Sequence, residues 1–155
     1  MKTQKGFSLI ELLIVVAVIG IIAAIAVPSL VESRKAANEA SAISAVRNLT
    51  TSQITYASTI GNGNYAESLA VLAAAGFIDP ALGSGTKDGY NFTVAASNEV
   101  GFTINADPVG ASTGTRHFYS DQTAVIRYSM EGAAGGGSLA LGQQAGGDGG
   151  GEGGG

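Results

Sequence analysis

The feature that most constrains this chain is an apolar run near its N-terminus. Residues 7–27 read FSLIELLIVVAVIGIIAAIAV, in which Ser8 and Glu11 are the only polar side chains. A helix of that length spans about 30 Å, which matches the hydrocarbon core of a bilayer. Because Lys2 and Lys5 precede the run, the positive-inside rule predicts a cytoplasmic N-terminus. The rest of the chain is then expected on the far side of the membrane.

Glu11 distinguishes this run from simpler hydrophobic segments. A secretory signal peptide usually has an apolar core of about 7–15 residues, which is shorter than this run, and a plain membrane anchor has a suitable length. Neither explains a carboxylate near the inner edge of the membrane. Since an ionisable group in a membrane helix is costly, Glu11 is a candidate functional residue; the alternative is a side chain that merely reaches to the interface.

The sequence after the apolar run predicts that the helix continues. Pro28 lacks a backbone donor and clashes with the preceding turn, so we expect a kink there. The next thirty or so positions contain no further Pro or Gly and are rich in Ala, the strongest helix former. One helix is therefore predicted over residues 7–58. The side chains expected to face a small domain share helical spacing: Ile43, Val46, Thr50, Ile54 and Ala57.

The remainder predicts a small α+β domain over residues 61–131. A short helix is expected over 66–75, with Leu69, Leu72 and Ala73 pointing inward. Alternating apolar positions then predict strands, and an antiparallel sheet with one face on the long helix is the economical arrangement. From Gly132 the chain is about half Gly, which predicts a flexible, disordered tail over 132–155. The sheet is expected to have about four strands, over 89–96, 99–106, 116–120 and 124–130.

Composition excludes several kinds of chemistry. The chain has no cysteine and a net charge of −4, so disulfides and thiol nucleophiles are absent and general nucleic-acid binding is not expected. His117, the single histidine, has no His or Cys partner for a metal and cannot complete a catalytic triad. No cofactor is predicted. Asp107 and Asp121 are weak candidate calcium ligands in turns, where such residues mostly cap their own backbone.

The segment KGFSLIELLIVVAVIGIIAAIAVPSL resembles the N-terminal signature of type IV pilins and of the pseudopilins of type II secretion systems. The shared features are a basic leader ending in Gly6, then Phe7, then Glu11 four positions later, an unbroken apolar run and Pro28. The resemblance implies that a membrane prepilin peptidase removes the leader, residues 1–6, by cutting between Gly6 and Phe7. It also implies methylation of the new amine of Phe7.

The resemblance further implies that the chain is a structural subunit, not an enzyme. The expected fold is pilin-like, with residues 7–28 in the membrane or the filament core and 29–60 as an amphipathic half-helix. Cleavage would create a cation at Phe7, which could pair with Glu11 of the same chain or of another subunit. The resemblance implies the second arrangement, in which the pair sets the register during assembly. The implied partners are copies of the same chain, the prepilin peptidase, the inner membrane and an assembly machine.

Three assignments stay open on the sequence. A type IV pilus pilin is expected on the cell surface, whereas a major pseudopilin would form a periplasmic pseudopilus. A minor pilin that acts as a binding module is the third. The chain lacks the disulfide-bounded loop of many pilins and does not reproduce the calcium loop of major pseudopilins. In each case the precursor would lie in the inner membrane.

Overall fold

The computed structural model describes residues 6–97 and 100–143. It divides into two compact units, one up to Arg34 and one from Lys35 onward. Helix α1 (Leu9–Thr59) supplies the first unit and continues into the second. The predicted long helix is therefore confirmed, and its boundaries agree with the sequence to within two residues.

The first unit consists of apolar helix. From Phe7 to Leu30 every side chain is exposed within the chain, as expected of a helix that is apolar all round and buried in a lipid or protein environment. By length and composition α1 suffices to cross a bilayer. The helix passes through Pro28 without interruption; the kink at this residue stays a prediction.

Within its described residues, the second unit contains two short helices and a six-stranded antiparallel sheet. Helix α2 (Leu69–Ala74) begins at Ser68, whose side chain accepts the N–H of Val71, and α3 (Pro80–Gly83) begins at Asp79, which accepts the N–H of Leu82. Each strand pairs with the next one in the chain. The strands are β1 (Thr86–Lys87), β2 (Tyr90–Ser97), β3 (Gly101–Pro108), β4 (His117–Asp121), β5 (Arg127–Ser129) and β6 (Leu139–Ala140).

The core lies between the inner face of the sheet and α1. The register places Phe92 opposite Ala106, which pairs in turn with Phe118, so these side chains share one face. Leu69 and Leu72 of α2 are buried as predicted, and Ala73 packs at the margin of the core. The largest fully buried apolar side chains are Tyr90, Phe102, Phe118, Leu49, Leu72, Leu82, Ile104 and Val46.

The buried stripe of α1 differs in part from the prediction. Val46 and Thr50 are buried as expected, but Ile54 is 45% exposed. Gln53, beside it, is fully buried instead. Its amide donates to the carbonyl oxygen of Ala66 at 2.9 Å and accepts the N–H of Ala66 at 2.8 Å. A polar side chain therefore takes the core position because it satisfies the backbone of the loop that follows α1.

Two corrections concern the sheet. The described residues form six strands where the sequence predicted about four, because β1 and β6 are two-residue strands that are too short to show alternation. The predicted start of the flexible tail at Gly132 is also wrong, because residues after it still belong to the sheet. Leu139 pairs with Tyr128, and the N–H of Leu141 donates to the carbonyl of Ile126 at 2.7 Å. The predicted turn at 97–98 lies partly outside the described ranges, and the last residues, 144–155, lie wholly outside them.

Gln53→Ala is expected to lower the free energy of unfolding by roughly 2–4 kcal/mol, because it leaves a buried N–H and C=O unpaired and opens a cavity. Thr51→Ala is the matched control: the Thr51 side chain is exposed and its hydroxyl donates to the carbonyl of Arg47 within the same helix, so a change within about 0.5 kcal/mol is expected. Urea unfolding of the detergent-solubilised chain measures both, and equal effects would contradict the role assigned to Gln53.

Candidate processing and assembly site

The N-terminal segment places Glu11 against the start of α1. Its carboxylate oxygen Oε2 accepts the backbone N–H of Ser8 at 2.9 Å, and the carbonyl of Ser8 accepts the N–H of Leu12 at 3.3 Å. Ser8 is thus the residue before the first helical one, and Glu11 reaches back to it as in the second half of a capping box. A carboxylate in the first turn is also favoured by the helix dipole.

This bond was not predicted from the sequence, although a signal for it exists. Ser8 and Glu11 have the Ser-x-x-Glu spacing typical of a helix start. In the uncleaved chain the nitrogen of Phe7 belongs to a peptide bond with Gly6, so the cation predicted to pair with Glu11 does not yet exist. The carboxylate is instead satisfied by a neutral donor of its own chain.

The residues of the predicted cleavage site are accessible. Gly6 and Phe7 precede α1 without regular structure, and Phe7 is 91% exposed. Apart from its neighbours in the chain, no described residue has an atom within 4 Å of the position that a Cβ at Gly6 would take. The scissile bond, the methylated amine and the assembly role of Glu11 stay predictions.

In the second unit a buried carboxylate holds the β3–β4 loop, residues 109–116. Glu39 of α1 is 7% exposed. Its Oε1 accepts the N–H groups of Thr115 at 2.9 Å and Arg116 at 3.2 Å, and its Oε2 lies 2.6 Å from the guanidinium Nε of Arg116. The side chain of Glu39 therefore fixes the C-terminal end of this loop to α1.

The electrostatics of Glu39 follow from these bonds. Burial raises the pKa of its carboxyl group, but the N–H of Thr115 and the side chain and N–H of Arg116 lower it by more, so the net pKa lies below the usual range. The guanidinium carbon of Arg116 also lies 5.6 Å from the ring centre of Phe118, within cation–π range.

The two weak calcium candidates have local partners. Asp107 lies 2.6 Å from Nδ1 of His117, on the neighbouring strand. Asp121 accepts the N–H of Thr123 at 2.9 Å and its hydroxyl at 2.5 Å, so it closes its own turn. Within residues 6–97 and 100–143, no group of three or more acidic or histidine side chains could hold a metal ion.

Comparison with known proteins identifies the class to which this arrangement belongs. The model of the prokaryotic N-terminal methylation motif matches residues 1–27, the span that contains Gly6, Phe7 and Glu11. Over 28 residues the chain is 79% identical to a fimbrial protein of Pseudomonas aeruginosa, which covers 18% of each chain. A pilin-type N-terminus on a small α+β domain defines a filament subunit of the pilin class.

A second relative extends the similarity over nearly the whole chain. The type IV wide pilus major component PilA4 of Thermus thermophilus is 31% identical over 136 residues, covering 84% of this chain and 98% of that protein. The chain belongs to the type IV pilin family. It is a structural subunit and not an enzyme, as the sequence predicted.

The Glu39 contacts predict a specific dependence of stability on pH. Because the folded pKa is lowered, the stabilisation is fully present above the unfolded pKa of about 4.3 and is lost as pH falls through the folded value. Glu39→Gln should lower stability by about 1–3 kcal/mol at pH 7. In thermal unfolding of the detergent-solubilised chains, the stability difference between Glu39→Gln and wild type should become smaller below about pH 4.

Glu131→Gln, at an exposed carboxylate, is the control and should follow the wild-type curve throughout. A gap between wild type and Glu39→Gln that stays constant down to pH 3 would contradict the lowered pKa.

Proposed function

We propose that the chain is the structural subunit of a type IV pilus, rather than a pseudopilin or a minor pilin. The observation that carries this proposal is the similarity over 98% of a protein that is itself named a wide pilus major component. The precursor then lies in the inner membrane with its N-terminus in the cytoplasm, and the assembled form lies at the cell surface.

Processing creates the group that assembly needs. A prepilin peptidase hydrolyses the peptide bond between Gly6 and Phe7, which leaves a carboxylate on Gly6 and a protonated amine on Phe7. Methylation of that amine retains its positive charge. The exposed, irregular backbone at these residues suits access by a protease. The match of residues 1–27 to a methylation motif supports both steps.

Assembly gives the Glu11 carboxylate a charged partner. Before assembly, the N–H of Ser8 satisfies it. An ion pair with the Phe7 amine of another copy is stronger in a low-dielectric surrounding than a bond to a neutral amide. The exchange of partner therefore favours incorporation into the filament and sets the register between the two helices.

The apolar first unit has two successive environments. In the precursor its exposed side chains face lipid, and in the filament they face the same segment of neighbouring copies. Both environments are apolar, so the transfer depends on packing and on the Glu11 pair rather than on a hydrophobic driving force. An assembly machine that extracts the helix from the membrane is the implied further partner.

Two substitutions separate the charge of Glu11 from its hydrogen bond. Glu11→Gln retains an acceptor for the N–H of Ser8 and removes the charge, whereas Glu11→Ala removes both. We expect both variants to be inserted and cleaved, and both to yield about tenfold fewer filaments or less, the effect of losing at least ~1.4 kcal/mol. Sheared filament yield and the N-terminal residue of the membrane-bound chain are the measurements.

The exposed Glu131→Ala serves as control and should assemble normally. Normal filaments from Glu11→Gln would show that the charge is dispensable and that Glu11 acts as a helix cap alone.

The kind of filament is tested by fractionation. Shearing should release long fibres made chiefly of this chain, with methylated Phe7 as the first residue by mass spectrometry. Loss of protein secretion on deletion, without surface fibres, would identify a pseudopilin. Fibres in which this chain is far less abundant than another pilin would identify a minor subunit.

A further inference from the structure

We propose that Asn62 is a site of spontaneous deamidation, and that one hydrogen bond at the end of α1 controls how fast the reaction occurs. The backbone nitrogen of the next residue, Gly63, attacks the side-chain amide of Asn62, and the product is an aspartate or an isoaspartate. The reaction needs no enzyme and does not depend on the kind of filament that the chain builds.

Asn62 has the neighbour that favours this reaction most. Of the seven asparagines in the chain, it is the only one that is followed by glycine. Glycine has no side chain that would block the approach of its nitrogen to the amide carbon, and its backbone turns freely. Asn62 and Gly63 are both exposed, so water and base have access to the reacting atoms.

The backbone around Asn62 forms the turn that ends α1. The φ angles are 48° at Asn62 and 91° at Gly63, in the left-handed region that asparagine and glycine adopt more readily than other residues. The N–H of Gly61 donates to the carbonyl of Tyr56 at 2.9 Å, and the N–H of Asn64 donates to the carbonyl of Gly61 at 2.9 Å. The turn is therefore an ordered structure with its own hydrogen bonds.

The nitrogen that must attack is already engaged in this turn. The N–H of Gly63 donates to the carbonyl oxygen of Ala57, in the last turn of α1, at 2.9 Å. The nitrogen becomes a nucleophile only when it loses this proton, and base does not reach a proton that is held by a carbonyl oxygen. The end of α1 therefore has to open before Asn62 reacts, in the kind of local opening that amide hydrogen exchange reports.

The segment is also fixed beyond the turn. The buried amide of Gln53 donates to the carbonyl of Ala66 at 2.9 Å and accepts its N–H at 2.8 Å. Gly63 thus lies in a short segment that is tied to α1 on both sides. Such a segment has few alternative conformations, so the bond from Gly63 to Ala57 is expected to open rarely.

The reaction balances with water as the only co-reactant. Base removes the proton of the Gly63 nitrogen, which forms a bond to Cγ of Asn62, and the side-chain nitrogen takes up a proton and leaves as ammonia. The product of this step is a cyclic imide. Water that breaks the new bond to Cγ leaves aspartate, whereas water that breaks the original peptide bond leaves isoaspartate.

Either product weakens the end of α1. Each places a carboxylate beside the last helical turn, where the helix dipole disfavours negative charge. Isoaspartate also inserts a methylene group into the main chain, which displaces the N–H of Gly63 from the carbonyl of Ala57. Subunits that have reacted are therefore marked permanently by a looser helix end.

The test compares the reaction in the folded chain with the reaction in the same sequence without the fold. Intact detergent-solubilised chains are kept at mildly alkaline pH and then digested with trypsin, which releases peptide 48–87 between Arg47 and Lys87. Mass spectrometry with fragmentation locates the new acid. The same peptide, isolated first and kept in the same buffer, gives the rate without the sheet. We expect Asn62 to react at least about tenfold more slowly in the intact chain.

Two alanine-to-glycine substitutions test whether the helix end controls the rate. Ala57→Gly weakens the last turn of α1 and keeps the accepting carbonyl, so it should speed the reaction in the intact chain about three- to fivefold. Ala40→Gly is the matched control, since Ala40 is exposed in the same helix far from the turn, and it should leave the rate unchanged. In the isolated peptide, Ala57→Gly should have no effect.

The remaining outcomes overturn the proposal. Equal rates in the intact chain and the peptide would show that the bond from Gly63 to Ala57 does not protect Asn62. Equal acceleration by Ala40→Gly and Ala57→Gly would show that opening of the whole unit, rather than of the helix end, limits the reaction. A peptide that gains no acid at Asn62, or gains it at Asn64 instead, would exclude the site.

Discussion

The interaction on which the rest depends is that of the Glu11 carboxylate with the start of a helix otherwise built from apolar side chains. A charge in that position is costly, and in the uncleaved chain one backbone N–H, that of Ser8, relieves part of the cost. On the proposed function, this neutral partner holds the side chain in the precursor, and the cation that cleavage would supply replaces it as a stronger partner during assembly.

The second unit depends on polar contacts between α1 and the loops. Gln53 fixes the segment after the helix, and Glu39 with Asn38 fixes the β3–β4 loop. These bonds are buried or half-buried, which makes each of them costly to break. Apolar packing fills the space between helix and sheet, whereas the polar side chains determine where the loops are held.

The features that could be predicted from the sequence are those that show a hydrophobic period or a known motif. The long helix follows from the apolar run and the helix-forming residues after it, and the central strands follow from alternation. Gly6, Phe7 and Glu11 lie in the segment that matches the N-terminal methylation motif, and their roles stay predictions. The two-residue strands β1 and β6 lack a readable period, because neighbouring strands rather than their own residues hold them. Gln53 was missed for a related reason: its burial is favoured by the backbone of Ala66, which no local pattern reveals.

The order of the strands bears on how the domain reaches its folded state. Every strand of the sheet pairs with the one that precedes it in the chain, so each pairing closes a short loop and costs little chain entropy. The sheet can therefore form strand by strand, with unpaired edges exposed only briefly. Its attachment to α1 is the non-local step, because the bonds of Asn38 and Glu39 to the β3–β4 loop join residues 75 to 77 positions apart.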